Sequence, residues 1–500
     1  MSLINVSNLT FGYEGGGDNI FENVSFQIDT DWKLGFTGRN GRGKTTFLKL
    51  LMRRYEYSGS ISSSVSFEYF PYEVKDERMD TQAVVDTIIS GYEDWQLVRE
   101  LNLLDVPHDV LGRPFQTLSN GEQTKILLAA FFLKENSFLL IDEPTNHLDM
   151  KGRRTVSEYL RCKQGFILVS HDRTFLDHCI DHILSINRSN IEIQRGNFTS
   201  WYHNKQLQDN LEIARNEALQ KDIQRLEISA RQTSAWSDRV ESSKKGHRIS
   251  GIKSDKGYIG HKSAKMMKRS KVIESRTLTA IEEKSKLLKN IEATSSLKIR
   301  PLRHHAARMV DLEDISIVFG ERKICEGVSF TITSGDRIAL RGKNGAGKSS
   351  LARLILGESI QYKGVLRKGS RLKISYVSQA VSDLAGSFND YARCYGVDQT
   401  LFKTILRKLD FSRDMFHLDL SVLSDGQKKK VMMARSLCES AHLYIWDEPL
   451  NYVDVISRIQ IEELLRQYEP TILFIEHDRA FCDNIATKTI TLGDGSLVLS

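Results

Sequence analysis

Apolar residues are patterned as strands in both the first and the last third of the chain. Apolar and polar residues alternate over 5–11 and 20–28, which is typical of strands with one buried face. The runs at 138–142 and 443–447 are apolar until their final aspartates, as expected for strands buried on both faces. Helical stretches follow these strands, so the pattern indicates an α/β fold.

The region between these thirds has a different, helical period. Residues 203–300 contain no proline, and their four glycines all lie between 246 and 260. Spacings of three, four and seven place the apolar residues on one stripe of a helix. They are Leu207, Leu211, Ala214 and Ala218 before the glycines and Leu278, Ile281, Leu288 and Ile291 after them. Two long helices joined by a glycine-containing turn predict a helical hairpin.

A glycine-rich loop follows the strand predicted at 33–37. Residues 38–45 match the pattern of a phosphate-binding loop, and a helical stretch begins at Thr46. In such a loop the backbone N–H groups and the helix N-terminus surround phosphate oxygens. Lys44 is then expected to neutralise the β- and γ-phosphates, and the Thr45 hydroxyl to hold Mg²⁺.

The same motifs return late in the chain at a nearly constant offset. A second loop occupies residues 342–349, and the motif residues recur after 304 to 306 positions. The matched pairs are Lys44 and Lys348, Ser119 and Ser424, Asp142 and Asp447, and His171 and His477. We therefore predict two copies of one module, at 1–202 and 303–500, joined by a linker at 203–302.

The order of these motifs resembles that of ATP-binding-cassette ATPases. The loops correspond to Walker A, the segments at 118–123 and 423–427 to the signature, and the acidic strand ends to Walker B. The resemblance implies two tandem P-loop ATP-binding-cassette domains joined by a long α-helical hairpin linker. It also implies that the two cassettes of one monomer pair head to tail, each signature capping the ATP of the other cassette.

The resemblance assigns roles residue by residue. Glu143 and Glu448 are the expected general bases, and His171 and His477 the expected γ-phosphate contacts. ATP is expected at Gly38, Asn40, Gly41, Gly43, Lys44, Thr45, Thr46, Gly342, Asn344, Gly345, Gly347, Lys348, Ser349 and Ser350, with signature residues Ser119, Gly121, Glu122, Ser424, Gly426 and Gln427. The expected Mg²⁺ ligands are Thr45, Asp142, Ser349, Gln379 and Asp447, and Asp149 and Asp454 occupy the interface-loop position.

Some positions depart from the family pattern or allow two interpretations. Gln379 fits the family's metal- and water-contacting glutamine, but its counterpart in the first cassette is Tyr72, so we expect two unequal sites. Tyr13 and Phe319 are candidates to stack on adenine, and a core position on a strand fits them equally well. The basic run 428–430 is interpreted as the solvated face of the signature helix.

Charge is concentrated in the linker. Residues 203–300 carry 22 Lys and Arg against 12 Asp and Glu, whereas the whole chain is only +6. Such a basic segment suits a phosphate-rich surface, and a charged spacer is the alternative. The six cysteines form no CxxC pair, the N-terminus shows no signal pattern, and no apolar run reaches the about 20 residues of a membrane span. We expect a cytoplasmic protein.

Three classes of cassette pair lack membrane spans. The energising subunit of an importer would leave the basic linker unexplained, and DNA-maintenance ATPases usually have longer coiled coils or zinc-binding cysteines. A linker of about 100 residues and the sequence at 142–149 resemble the ABC-F translation factors. The sequences at 444–454 and 266–271 are similar to the Lsa-type antibiotic-resistance branch, and a housekeeping ABC-F factor would share the cassette motifs.

That resemblance implies a partner and a working end. ABC-F proteins bind the 70S ribosome at the tRNA exit site, with the linker directed toward the peptidyl-transferase centre, 23S rRNA and the peptidyl-site tRNA. The Lsa-type branch protects ribosomes from lincosamides, pleuromutilins and streptogramin A. Cationic and aromatic groups at a turn suit contact with rRNA bases. The expected contacts at the linker tip are Ile249, Ile252, Lys253, Lys256 and Tyr258.

Overall fold

The computed structural model describes most of the two cassettes and the first arm of the linker. The described residues are 2–13, 19–146, 148–187, 190–242, 297–319, 322–343, 345–381, 384–492 and 498–499, with the single positions 268, 272, 275, 276 and 279. The chain divides into two compact units, Met1–Trp201 with Thr294–Ser500, and Tyr202–Ala293.

The first cassette contains two sheets. Its strands are β1 (Leu3–Phe11), β2 (Phe21–Asp29), β3 (Lys33–Thr37), β4 (Ser58–Ser62), β5 (Ser66–Phe70), β6 (Ser137–Asp142), β7 (Phe166–Val169), β8 (His182–Asn187) and β9 (Asn190–Arg195). An antiparallel sheet has the order β2-β1-β4, and a six-stranded sheet has the order β5-β6-β7-β3-β8-β9. The larger sheet is parallel except for β9. Its helices are Lys44–Leu51, Thr81–Ile88, Asp94–Leu103, Asn120–Phe132, Met150–Arg161 and Arg173–Cys179, with 3₁₀ turns at His108–Gly112 and Phe115–Thr117.

The second cassette repeats this topology. Its strands are β10 (Arg308–Phe319), β11 (Arg322–Thr333), β12 (Arg337–Gly342), β13 (Tyr362–Lys368), β14 (Ile374–Val377), β15 (Leu443–Asp447), β16 (Ile472–Ile475), β17 (Lys488–Leu492) and β18 (Val498–Leu499). The sheet orders are β11-β10-β13 and β14-β15-β16-β12-β17-β18. The helices are Lys348–Leu356, Phe388–Cys394, Gln399–Lys408, Asp425–Cys438, Val455–Tyr468 and Arg479–Ile485, with 3₁₀ turns at Asp414–His417 and Leu420–Val422. The predicted tandem α/β cassettes are thereby confirmed.

The helix after each glycine-rich loop is anchored in the core between the two sheets. In the first cassette the ring of Phe47 lies 5.5 to 6.0 Å from those of Phe21, Phe26 and Phe36. Phe47 is fully buried, as is Leu351 on the equivalent helix. Burying an aromatic side chain stabilises a fold by about 1.5 to 3 kcal/mol. Burial of Phe47 therefore holds the start of its helix against the sheet edge where the acidic strand ends lie.

The linker begins with a helix of 45 residues, Phe198–Ser242. At about 1.5 Å per residue it is roughly 65 Å long. The apolar stripe noted in the sequence is exposed, Leu207 by 50% and Leu211 by 61%. The half-buried positions form a different stripe that includes Lys205, Asp209 and Glu212. Apolar spacing thus predicted the helix but did not identify its covered face.

Much of the linker prediction concerns residues outside the described part of the chain. Positions 268, 272, 275, 276 and 279 are helical. The expected tip contacts Ile249, Ile252, Lys253, Lys256 and Tyr258 lie outside the described residues, as do the apolar positions listed after the glycines.

Candidate active site

Each glycine-rich loop folds its lysine back onto its own backbone. Lys44 Nζ donates to the carbonyls of Gly38 (2.7 Å) and Arg39 (3.2 Å), and Lys348 Nζ donates to Gly342 O at 2.8 Å. Burial lowers the pKa of both lysines. The residue before each lysine is a glycine in the left-handed region, with φ of 91° at Gly43. A Cβ there would lie 2.5 Å from Ile20, so the loop requires glycine for both its conformation and its space.

The acidic strand end of the first cassette is engaged by two hydroxyl groups. Thr45 Oγ1 donates to Asp142 Oδ2 at 3.1 Å, and the Tyr69 hydroxyl donates to the same oxygen at 3.0 Å. The next residue, Glu143, is held at a φ of 52°, and His171 Nε2 lies 3.5 Å from its Oε1. Tyr69 was not predicted as a site residue, because its place on a strand marks it only as a half-buried aromatic.

The acidic strand end of the second cassette is arranged differently. Asp447 is 0% exposed, and burial raises the pKa of its carboxyl, while the neighbouring Ser349 hydroxyl partly offsets that rise. Gln379 Nε2 donates to Glu448 Oε2 at 3.0 Å, and His477 Nε2 lies 3.5 Å from Glu448 Oε1. Glu448 has a φ of 46°, which matches the strained backbone of Glu143 and fits residues held for function.

The two candidate bases differ in their electrostatic environment. Burial and the neighbouring Asp142 raise the pKa of Glu143 to about 8. Burial also favours the neutral form of Glu448, but hydrogen bonds from His477 and Gln379 outweigh it and lower its pKa. Burial lowers the pKa of His171 well below its ordinary value, so its imidazole is neutral. These surroundings therefore favour the neutral form of Glu143 and the ionised form of Glu448.

Each signature serine begins a helix. Ser119 and Glu122 form a capping box, and Ser424 and Gln427 form the equivalent one. The glycine two residues after Ser424 lies against the other cassette, because a Cβ on Gly426 would be 2.8 Å from Asn40 Nδ2. The second signature therefore meets the first glycine-rich loop, as the head-to-tail arrangement requires.

The reciprocal arrangement forms a cleft of about 950 Å³. Its walls combine the first signature with the second glycine-rich loop and acidic strand end. The predicted residues that line it are Ser119, Gly121, Glu122, Gly345, Gly347, Lys348, Ser349, Ser350, Gln379, Glu448 and His477. The structure thus brings the predicted residues of the second site together across the two cassettes.

The first site has cross-cassette contacts that the sequence did not predict. Asn40 Nδ2 donates to Tyr452 O at 2.7 Å, and Asp410 lies 3.4 Å from both Arg39 and Arg42. The equivalent of Asp410 in the first cassette is Asp105, whose carboxylate pairs instead with Lys151 of its own cassette at 2.7 Å. The two sites therefore differ in how their walls are joined.

The remaining predicted residues have mixed outcomes. The Tyr13 hydroxyl lies 2.9 Å from Thr46 Oγ1, which places Tyr13 beside the first loop, with 47% of its surface exposed. The side chain of Phe319 and the whole of Asn344 lie outside the described residues. Asp149 and Asp454 cap the helices that follow them, accepting from Gly152 N and Ser457 N.

The interpretation of 428–430 as a solvated face was wrong. Lys429 is 0% exposed and Lys430 is 3% exposed. Lys429 Nζ donates to Ser378 O at 2.8 Å, and Lys430 Nζ lies 2.6 Å from Asp454 Oδ2. Buried backbone and carboxylate oxygens satisfy both ammonium groups, which is what permits their burial.

The oxygen groups of the second site fit a divalent cation such as Mg²⁺. The Asp447 carboxylate is buried beside the Ser349 hydroxyl, and Ser349 and Gln379 line the cleft near the adjoining Glu448. Carboxylate, hydroxyl and amide oxygens are suitable Mg²⁺ ligands. At the first site the Asp142 carboxylate and the Thr45 hydroxyl provide an equivalent but smaller set.

This fold and these two composite sites define a tandem ATP-binding-cassette ATPase. The family profile described as ABC transporter matches residues 21–146 and 325–451, and the chain belongs to that family. The chain is an ATP hydrolase of this class. Among the described residues, no helix combines the length and apolar character that crossing a membrane requires.

Two relatives match nearly the whole length of this chain. The chain is 27% identical to the ribosome protection protein VmlR of Bacillus subtilis (strain 168), over 99% of this chain and 87% of that protein. It is 26% identical to the ATP-binding protein Uup of Caulobacter vibrioides, over 97% of this chain and 76% of that protein. A structure of the archaeal ribosome recycling factor aABCE1 in complex with the stalk protein aP1 shares the fold, with a TM-score of 0.62, 18% identity and coverage of 98% and 89%.

Proposed function

We propose that the chain is a cytoplasmic ABC-F ATPase that binds the bacterial 70S ribosome and protects it from antibiotics. The observation that carries the proposal is the combination of composite ATP sites with a long, basic helical linker. The cassettes alone fit many ABC ATPases. The similarity to a ribosome protection protein over 99% of the chain supports a ribosomal role.

ATP would act as a bridge between the two cassettes. Lys44 and Lys348 would neutralise the phosphates, and Asp142 and Asp447, with Thr45 and Ser349, would hold Mg²⁺. Glu448 would accept a proton from the attacking water, oriented by Gln379 and His477. Glu143 would do so at the first site once nucleotide and cation have altered its surroundings. Hydrolysis removes the γ-phosphate and with it the bridge to the opposite signature.

The linker would supply the ribosome-directed end. Between 244 and 271 the sequence carries ten basic residues and one acid, Asp255. Such a segment binds a phosphate-rich surface and releases counterions. In our proposal the ATP-bound monomer occupies the tRNA exit site, and the residues around 249–258 approach the peptidyl-transferase centre. Protection would then extend to lincosamides, pleuromutilins and streptogramin A.

Ribosome binding is tested with the double variant Glu143→Gln/Glu448→Gln. Removing both bases should leave nucleotide binding intact and stop turnover, so the ATP-bound form should accumulate on 70S ribosomes in a sedimentation assay. The same variant in ADP is the matched control and should remain in the supernatant. Equal sedimentation in ATP and ADP, or none in either, would refute the ATP-dependent binding.

Protection is tested in susceptible bacteria that express equal amounts of each form. Replacing 251–258 by a short Gly-Ser turn should preserve hydrolysis, which depends on the cassettes, and abolish drug protection. If the wild type gives no protection while it still binds ribosomes, a housekeeping translation role replaces the resistance role. If the replaced form protects as well as the wild type, the linker is only a spacer.

A further inference from the structure

We propose that Lys429 is a positioning residue of the second ATP site. Its ammonium joins the loop that carries Gln379 to the strand end that carries Asp447 and Glu448. The inference rests on the ATPase roles assigned to these three residues and is independent of ribosome binding.

The ammonium of Lys429 is enclosed by three carbonyl oxygens. Nζ lies 2.8 Å from Ser378 O, 3.3 Å from Gln379 O and 3.2 Å from Asp447 O. A lysine ammonium has three N–H donors, so this arrangement uses all of them. Hydrogen bonds from a charged donor are stronger than neutral ones. The contact therefore restrains two segments that are about 70 residues apart in the chain.

The restrained segments carry the groups that orient the attacking water. Gln379 Nε2 donates to Glu448 Oε2 at 3.0 Å. Lys429 binds the backbone carbonyl of Gln379 itself and that of Asp447, the residue directly before Glu448. Displacing either backbone would change the distance between the amide and the carboxylate. A misplacement of about 1 Å in such an arrangement lowers a rate by on the order of 100-fold.

A structural role alone does not account for a lysine at this position. Lys429 is 0% exposed, and the buried positions of its helix include the apolar Val431 and Met432 as well as the charged Lys430. An apolar side chain would fill the same volume without the cost of burying a charge. Asp447, Glu448 and Glu476 all interact favourably with the ammonium. A cation placed at the base of the carboxylate cluster offsets the repulsion among these groups.

The first cassette lacks this arrangement. The residue equivalent to Lys429 is Thr124, and the residue equivalent to Gln379 is Tyr72. Thr124 is buried and uncharged, and the ring of Tyr72 packs 5.8 Å from that of Phe131. The lysine and the glutamine thus occur together in one cassette and are both absent from the other. Lys429 should accordingly control turnover at the second site only.

The test uses the full chain with Glu143→Gln, so that hydrolysis reports the second site. In this background Lys429→Met should lower kcat by about 10- to 100-fold. KM for ATP should stay within about twofold, because the glycine-rich loop and the signature are unchanged. The neighbouring Lys428→Met is the matched control and should keep kcat within about twofold, since Lys428 is only half-buried. Lys429→Thr introduces the residue found at the equivalent position 124 of the first cassette and should lower kcat to the same extent as Lys429→Met. It replaces Lys429→Met in the test if the methionine variant does not fold.

A second readout is independent of turnover. Binding of a fluorescent ATP analogue at saturating Mg²⁺ should be equal in the parent and Lys429→Met, because the glycine-rich loop and the signature that bind nucleotide are unchanged. The proposal is overturned if folded Lys429→Met and Lys429→Thr keep the parental kcat, or if kcat falls only together with nucleotide affinity. Absence of ribosome binding would leave these measurements unaffected, so the two proposals fail separately.

Discussion

Replacing Lys430 by methionine should strongly destabilise the second cassette. Lys430 Nζ lies 2.6 Å from Asp454 Oδ2, and the two side chains are 4% and 0% exposed. Lys430 also donates to Leu409 O at 3.1 Å. The variant keeps the apolar length of the side chain but leaves the Asp454 carboxylate buried without its counter-charge. Asp454 then keeps the hydrogen bonds from the Ser457 backbone N–H and hydroxyl, at 2.9 and 3.0 Å.

The magnitude follows from the burial of both partners. Removing one member of a buried ion pair costs about 3 to 5 kcal/mol, whereas an exposed pair contributes about 0 to 1 kcal/mol. For a domain of 150 to 250 residues, each kcal/mol shifts the melting temperature by about 2 to 4 °C. Lys430→Met should therefore lower the melting temperature of the second cassette by about 6 to 20 °C.

Thermal unfolding followed by circular dichroism measures this effect in the absence of nucleotide. Lys125 is equivalent to Lys430 but is only partly buried, so Lys125→Met should shift the melting temperature much less. The double variant Lys430→Met/Asp454→Asn removes both charges and should recover part of the loss. Two results would refute the reasoning. One is a melting-temperature shift for Lys430→Met that is no larger than that for Lys125→Met. The other is a double variant whose loss of stability equals the sum of the losses in Lys430→Met and Asp454→Asn.

The pair should also give a defined pH dependence. Burial disfavours the charged form of Asp454, but Lys430 outweighs it and lowers the pKa below the ordinary 3.8. A lowered carboxyl pKa gives stabilisation that is complete above the ordinary value and is lost as pH falls toward the folded-state value. The difference in melting temperature between wild type and Lys430→Met should be largest at neutral and higher pH and should shrink as pH falls below about 4.

Two further predictions concern the first cassette and the linker. Glu100→Gln should destabilise the first cassette by about 3 kcal/mol in urea unfolding, because Glu100 is 1% exposed and accepts hydrogen bonds from Tyr159 at 2.7 Å and Arg99 at 3.0 Å. Glu158→Gln is the control, since Glu158 forms an exposed pair with Arg154, and it should cost less than about 1 kcal/mol. Equal losses of stability in the two variants would contradict the burial argument. Ribosome binding should weaken when five basic linker residues are neutralised, namely Lys262, Lys265, Lys268, Arg269 and Lys271. The slope of log affinity against log salt should become flatter by about 0.7 to 0.9 for each lost phosphate contact, and basal ATP hydrolysis should not change. An unchanged slope would exclude these residues from the contact.

The duplicated cassettes and the motif residues could be predicted from local sequence patterns. Glycines at Gly43 and Gly347 are required by a left-handed backbone at a fixed place in the loop, so the motif can be recognised without the fold. The strands ending at Asp142 and Asp447 follow from short apolar runs. These features are local, since each depends on residues that are close in the chain.

Which charged and aromatic residues support the sites depends on packing between distant segments. Lys429 and Lys430 are buried because carbonyl and carboxylate oxygens 18 to 51 residues away meet them, and helical spacing carries no record of those partners. The contact of Asp410 with Arg39 and Arg42 joins the two cassettes, and Tyr69 reaches Asp142 across adjacent strands. Whether a polar side chain is solvated or buried depends on what distant segments present to it, and that is a property of packing rather than of local pattern.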